Sequence, residues 1–132
     1  MLHRITYPCL YGLSYLGTRF VGLEPTVGTF KKIGTRLRKL GLAKSCSAAE
    51  IRARLVDSFD LLPVPVRCLD QAIVAWHVLN LHGHDADFKI GVTLAPFASH
   101  AWVELGEEKF VDFVFIPDME VVAEYHSWTA AQ

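Results

Sequence analysis

The sequence predicts an α+β domain, with helices in the N-terminal half, one buried helix after them, and an antiparallel meander of strands at the end. Two observations carry this. Apolar residues between positions 29 and 82 recur at helical spacing, whereas from Phe88 onward they recur at every second position. The period changes once, so helices and strands are segregated along the chain rather than alternating. At 132 residues, 52% of them hydrophobic and 20% charged, the chain is long enough to bury one sizeable core.

Residues 1–27 are punctuated by Pro8, Gly12, Gly17 and Gly22. The alternation His3-Arg4-Ile5-Thr6-Tyr7 predicts a short strand at their start. The apolar stretch from Leu10 to Leu23 lacks a basic start, an unbroken apolar core and a small-residue cleavage site, so neither a signal peptide nor a membrane span is expected. From Thr29 a helix is predicted, with Phe30, Ile33, Leu37 and Leu40 on its apolar face and Gly41 as its stop. Ser47-Ala48-Ala49-Glu50 matches a capping box, and Ile51, Leu55 and Phe59 continue one stripe from it. Pro63 and Pro65 end that helix and force an extended approach to Arg67 and Cys68.

The next helix is predicted from Cys68 to His82, with Gly83 closing it. It is apolar on most sides, and only Asp70, His77 and Asn80 form a polar stripe, the pattern of a central buried helix. Trp76 and Trp102 are expected to be core residues. Beyond the turn at His84–Asp87, Phe88, Ile90, Val92 and Leu94 mark a half-buried strand. Strands are also predicted over His100–Leu105 and Lys109–Ile116, joined at Gly106-Glu107-Glu108.

Charge and cysteine usage narrow the function classes. A net charge of −1 argues against nucleic acid as a general partner. The charge is unevenly placed, however. Eight bases stand between Lys31 and Arg54 against Glu50 alone, and seven acids between Glu104 and Glu124 against Lys109 alone. The basic stretch is either a solvated helix face or a docking surface for a peptide or protein. Cys9, Cys46 and Cys68 are an odd set without a CxxC pair, which indicates free thiols in a reducing cytoplasm and neither a disulfide framework nor a zinc knuckle. There is no glycine-rich phosphate loop. His82, His84 and Asp85 crowd one turn without a second ligand cluster, so they are expected to be solvated, and no metal or cofactor is assigned.

A lone cysteine is ordinarily a small buried hydrophobe. Cys68 differs because it opens a helix, where the positive end of the dipole lowers a thiol pKa, and because Arg67 adds a cation beside it. Its backbone N–H is placed to help form an oxyanion hole. His100 shares a strand face with Trp102 and Glu104, while Ala101, Val103 and Leu105 share the other. A three-residue loop over Gly106–Glu108 would pair Leu105 with Lys109 and leave Asp112 diagonal to His100 on one face, within side-chain reach. A two-residue loop would put Asp112 on the opposite face. Cys68, His100 and Asp112 thus make a candidate nucleophile, base and orienting acid, conditional on that register.

Cys68-Leu69 opening a helix, then Gly91-Val92, Pro96-Phe97, His100-Ala101-Trp102-Val103-Glu104 and Asp112 resemble the lasso peptide leader peptidases. These belong to the transglutaminase-like branch of papain-fold cysteine peptidases. The spacings fit: His100 follows Cys68 by 32 positions, and Asp112 follows His100 by 12. The resemblance implies one domain over 1–132, with residues 47–116 as catalytic core and 1–46 as an N-terminal extension carrying the basic helix. It implies Cys68 as nucleophile, His100 as base and later acid, and Asp112 as the group orienting His100. Phe97 and Ser99, in the loop before His100, and Trp102 would border the substrate. It further implies removal of the leader from a ribosomally made precursor, before a separate ATP-dependent cyclase forms the macrolactam. About 45 residues precede the capping box, too few for a fused leader-binding domain, so a winged-helix leader-binding protein is expected in trans. No glutamine stands shortly before Cys68, which leaves the second oxyanion donor unassigned. Two other readings stay open: transfer of the acyl group to an amine, as in transglutaminases, and a non-catalytic peptide-binding scaffold of the same fold.

Overall fold

A computed structural model describes residues 3–41, 46–61, 68–94, 97–106, 108–110 and 120–128, with backbone alone at 3–6, 59–61, 68, 97 and 108–110. In chain order these form α1 (His3–Phe20), α2 (Leu23–Lys39), α3 (Ala48–Leu61), α4 (Cys68–Leu81), β1 (Ala86–Leu94), β2 (Phe97–Leu105), β3 (Glu108–Phe110) and β4 (Glu120–Tyr125). The predicted class is correct: helices first, then a four-stranded antiparallel sheet in the order β3-β2-β1-β4.

α4 is the middle layer. It packs on α1, α2 and α3 on one side and on β1 and β2 on the other. From Ala72 to Asn80 every residue is buried. The expected polar stripe is buried too, and each member ties α4 to a different neighbour. Ser14 of α1 donates its hydroxyl to Asp70 Oδ1 at 2.7 Å. His77 Nδ1 lies 3.1 Å from the Phe30 carbonyl of α2. Asn80 Nδ2 donates to the Ala86 carbonyl at 3.1 Å, and Asn80 Oδ1 accepts from Ser127 Oγ at 2.7 Å. Buried polar groups need such partners, so these three residues fix the position of α4 as well as its depth.

The helix stop is as predicted. Gly83 has φ 89, its N–H bonds to the Asn80 carbonyl, and the His84 N–H bonds to the Leu79 carbonyl. That is a Schellman closure, which glycine accommodates without strain. The capping serine is also in place: the Glu50 N–H donates to Ser47 Oγ at 3.2 Å, and Ile51 and Leu55 are fully buried.

Three expectations fail. The predicted strand at His3–Tyr7 is the start of α1, a helix that tolerates Pro8 in its second turn because Tyr7, Tyr11 and Ser14 bury one face at i, i+4 and i+7. α2 begins six residues before Thr29 and buries Thr26, Val27, Phe30 and Gly34, not the stripe through Ile33 and Leu40, both of which are exposed. The face is rotated because Gly34 sits beneath Trp128: a Cβ there would come within 2.6 Å of the indole ring. Finally, β4 pairs with the free side of β1, with a register shift at Ile90/Gly91, and no strand was expected there. The predicted strand over Lys109–Ile116 is seen as β3 at its beginning; residues 111–116 lie outside the described residues.

Candidate active site

Cys68 is the first residue of α4. The first-turn N–H groups of a helix have no partners within it, and their dipoles concentrate positive potential there. A helix start favours the thiolate form of a cysteine and turns N–H groups toward a developing oxyanion, and this is what makes Cys68 the candidate nucleophile by position. Two residues on, the buried Asp70 carboxylate is held by Ser14, which anchors this turn to α1. Sequence reasoning gave Asp70 only to a polar stripe; the partner is 56 residues away and leaves no local signal.

His100 stands in β2, directly opposite Gly91 of β1. Asn80 near the C-terminal end of α4 is hydrogen-bonded to Ala86 at the start of β1. The twelve residues from there back to Cys68 rise about 18 Å, which spans five or six residues of strand. Counted from Ala86, five residues of strand end at Gly91, the residue opposite His100 in β2.

The strand faces divide the predicted residues. Phe88 pairs with Val103 and Ile90 with Ala101, and these join the core cluster beneath α4. Lys89 pairs with Trp102 and Gly91 with His100, so His100 and Trp102 share the sheet face turned away from α4. Both are buried, with rings stacked at a centroid distance of 6.0 Å. Trp102 Nε1 donates to Glu104 Oε1 at 3.1 Å, and Lys89 Nζ donates to Glu104 Oε2 at 2.6 Å. That hydrogen bond raises the Lys89 pKa above its ordinary value. Trp102 is thus a buried residue, as expected, and its indole N–H is committed to Glu104.

The loop expected before His100 is strand. Phe97 and Ser99 belong to β2 because its ladder with β1 runs through to Leu94–Phe97. Ser99 is exposed and pairs with Val92. By alternation it lies on the sheet face that packs on α4, beyond Ala101.

The turn after β2 differs from the expected one. Leu105 pairs with Glu108 and Val103 with Phe110, so the loop is the two residues Gly106 and Glu107. Gly106 has φ 68, the conformation that primed two-residue hairpin turns require at their first central position. The observed register is therefore odd where the pairing of Asp112 with His100 requires an even one. A ladder shift between Phe110 and Asp112 would be needed to restore it. Asp112 itself lies outside the described residues.

The turn expected to be solvated is exposed at Asp85 and half-buried at His82 and His84, and it also makes ties. His84 Nε2 lies 2.6 Å from the Cys46 carbonyl, and Asp85 Oδ1 accepts Ser127 Oγ at 3.2 Å. Among the described residues, Asp87, Glu124 and His126 bring one ligand atom each within 4.8 Å of one another. They form an exposed ion-pair cluster in which Lys89 already lies 3.7 Å from Glu124 and the Ser127 N–H donates to Asp87. Among the described residues no helix is long and apolar enough to cross a membrane.

Residues 19–130 match the family model of the transglutaminase-like superfamily, so the chain belongs to that superfamily. No curated protein and no solved structure matches it. Members of this superfamily are usually cysteine-dependent enzymes, and the match spans both the α4 start and β2.

Proposed function

We propose that this transglutaminase-like protein is a cysteine peptidase that cleaves the leader from a ribosomally made lasso peptide precursor. It works on a leader presented by a separate winged-helix protein, in the cytoplasm, and delivers the freed core to a macrolactam-forming cyclase. The observation that carries the reading is that Cys68 is the first residue of the buried helix α4, inside the family match. The lasso-specific part rests on the resemblance of Pro96-Phe97 and His100-Ala101-Trp102-Val103-Glu104 to those peptidases.

In the proposed cycle the Cys68 sulfur attacks the carbonyl carbon of the leader–core amide while His100 takes the thiol proton. The oxyanion is received at the α4 start. His100 then protonates the leaving amine, the C–N bond breaks, and the leader is left as a thioester on Cys68. Water attacks the thioester, His100 takes its proton, and the leader leaves with a free carboxylate as the thiol is regenerated. Asp112 orients His100 in this scheme on the resemblance alone, and Ser99 and Phe97 border the peptide.

Incubation of the protein with a precursor and its leader-binding partner tests this by product mass. Free leader carboxylate and free core amine are expected, with a loss of at least about a thousandfold in Cys68→Ala. An adduct of the leader with an added amine would instead make the enzyme an acyl transferase. Undiminished cleavage by Cys68→Ala excludes the mechanism. The scaffold reading is favoured by one specific observation, the placement of His100 on the sheet face turned away from α4. It predicts no cleavage and a partner function untouched by Cys68→Ala.

A further inference from the structure

A second feature of the surface lies away from β2, between α1 and α2. The two helices approach closely at Gly17, where a Cβ would come within 2.5 Å of Thr26 Oγ1. Between them lies an open groove of about 490 Å³, walled by Leu13, Leu16 and Phe20 of α1 and by Thr29 and Ile33 of α2, with Phe30 and His77 as its floor. Its walls are exposed to a degree that large apolar side chains seldom are: Phe20 is 74% and Leu13 58% accessible. The rim is basic. Arg19 lies beside the Phe20 ring at 5.8 Å, and Lys32 and Arg36 stand three residues beyond Thr29 and Ile33, on the adjacent row of α2. Glu24 is the one acid in residues 1–46, and its carboxylate accepts the Tyr125 hydroxyl. Most of α1 also lies before the matched family segment, which starts at residue 19.

We propose that the α1–α2 groove docks an amphipathic helix of another protein, whose apolar side chains fill the groove and whose acidic flanks meet Arg19, Lys32 and Arg36. A concave apolar slot with charged edges is the recognition surface for a helix with anchors at i, i+3, i+4 and i+7. The polar side chains in its lining are Thr26, Thr29 and His77, and each is bonded to a backbone carbonyl rather than aimed together at a small molecule. A flat lipid surface would leave the concave floor at Phe30 unfilled. A second copy of this chain is a poor occupant: half of its 14 acids stand between Glu104 and Glu124, outside the described helices, and α3, the helix with most acids, already buries its apolar residues Ile51 and Leu55 in the core. The proposal stands whether or not Cys68 is a nucleophile.

The test uses the intact protein and a fluorescent synthetic helix of about 18 residues, with leucines at i, i+3, i+4 and i+7 and glutamates on both flanks. A second peptide carries lysines in place of the glutamates. The expected result is that the glutamate peptide binds at least about tenfold more tightly than the lysine peptide. Leu16→Asp, at an exposed position, weakens it about tenfold. In the double variant Lys32→Glu/Arg36→Glu the preference reverses in favour of the lysine peptide. Equal binding of both peptides, no binding, or no response to these substitutions overturns the proposal. Phosphatidylglycerol vesicles and sedimentation of the protein alone complete it. Vesicle binding abolished by Leu16→Asp would make the groove a membrane contact, and a dimer dissolved by Leu16→Asp would make it a self-interface; either overturns the partner helix.

Discussion

At the scale of single residues, the polar groups inside α4 carry the most exposed predictions. Burial pushes the His77 pKa down from 6.5 to about 4, and His77 faces the Phe30 carbonyl as a neutral ring. In the unfolded chain the same imidazole gains its proton near 6.5. Between these two values the unfolded chain binds more protons than the fold, so stability falls as pH drops through that window. The loss accumulates to about 3 kcal/mol by the acid end of it. Urea denaturation between about pH 7 and pH 4 should show this slope, and His77→Gln should flatten it, since the amide keeps a donor for the Phe30 carbonyl. Parallel slopes in the two proteins would remove His77 as the cause. Gly34→Ala is the second case. Although alanine favours helix, the new methyl would meet Trp128 at 2.6 Å, and a net loss of about 1–3 kcal/mol is expected from the denaturation midpoint. Ser14→Ala, which strips the hydroxyl from the buried Asp70, should cost about 1–3 kcal/mol by the same measurement.

At the scale of elements, the β2–β3 hairpin decides how far the candidate triad can be built. Gly106 has positive φ in a two-residue turn, so Gly106→Val should destabilise the protein by about 1–3 kcal/mol, and thermal melting measures that. A neutral substitution would argue for the longer loop and with it the even register. The sequence was legible where the signal is local. The capping serine, the α4 stop at Gly83 and the alternation of β1 and β2 each sit within a few residues of their cause. It was not legible where a distant partner decides. α1 overrides Pro8, Gly12 and Gly17 because Tyr7, Tyr11 and Ser14 find the core, and the buried face of α2 is set by Trp128, about a hundred residues on. β4, with glutamates at Glu120 and Glu124 and exposed Val121 and Val122, has none of the apolar alternation that marked β1. Of the candidate site, the helix position of Cys68 and the strand of His100 could be read directly. The loop length could not, because Gly-Glu-Glu allows either a two- or a three-residue turn and only Gly106 in a primed turn settles it.

At the scale of the molecule, α4 is held between helices and sheet, while α1 and α2 open a separate groove. The superfamily match fixes the chain's class, and the chemistry proposed for it turns on Cys68 being an activated thiol rather than a buried filler. That claim can be tested on the protein alone, without precursor or partner. The measurement is the pH dependence of iodoacetamide alkylation at Cys68, followed by peptide mass in a Cys9→Ser/Cys46→Ser background. Half-maximal alkylation is expected at least about one pH unit below the value of about 8.5 for a free thiol. Alkylation that follows the free-thiol curve, or a Cys68 that does not react until the protein is unfolded, would contradict it.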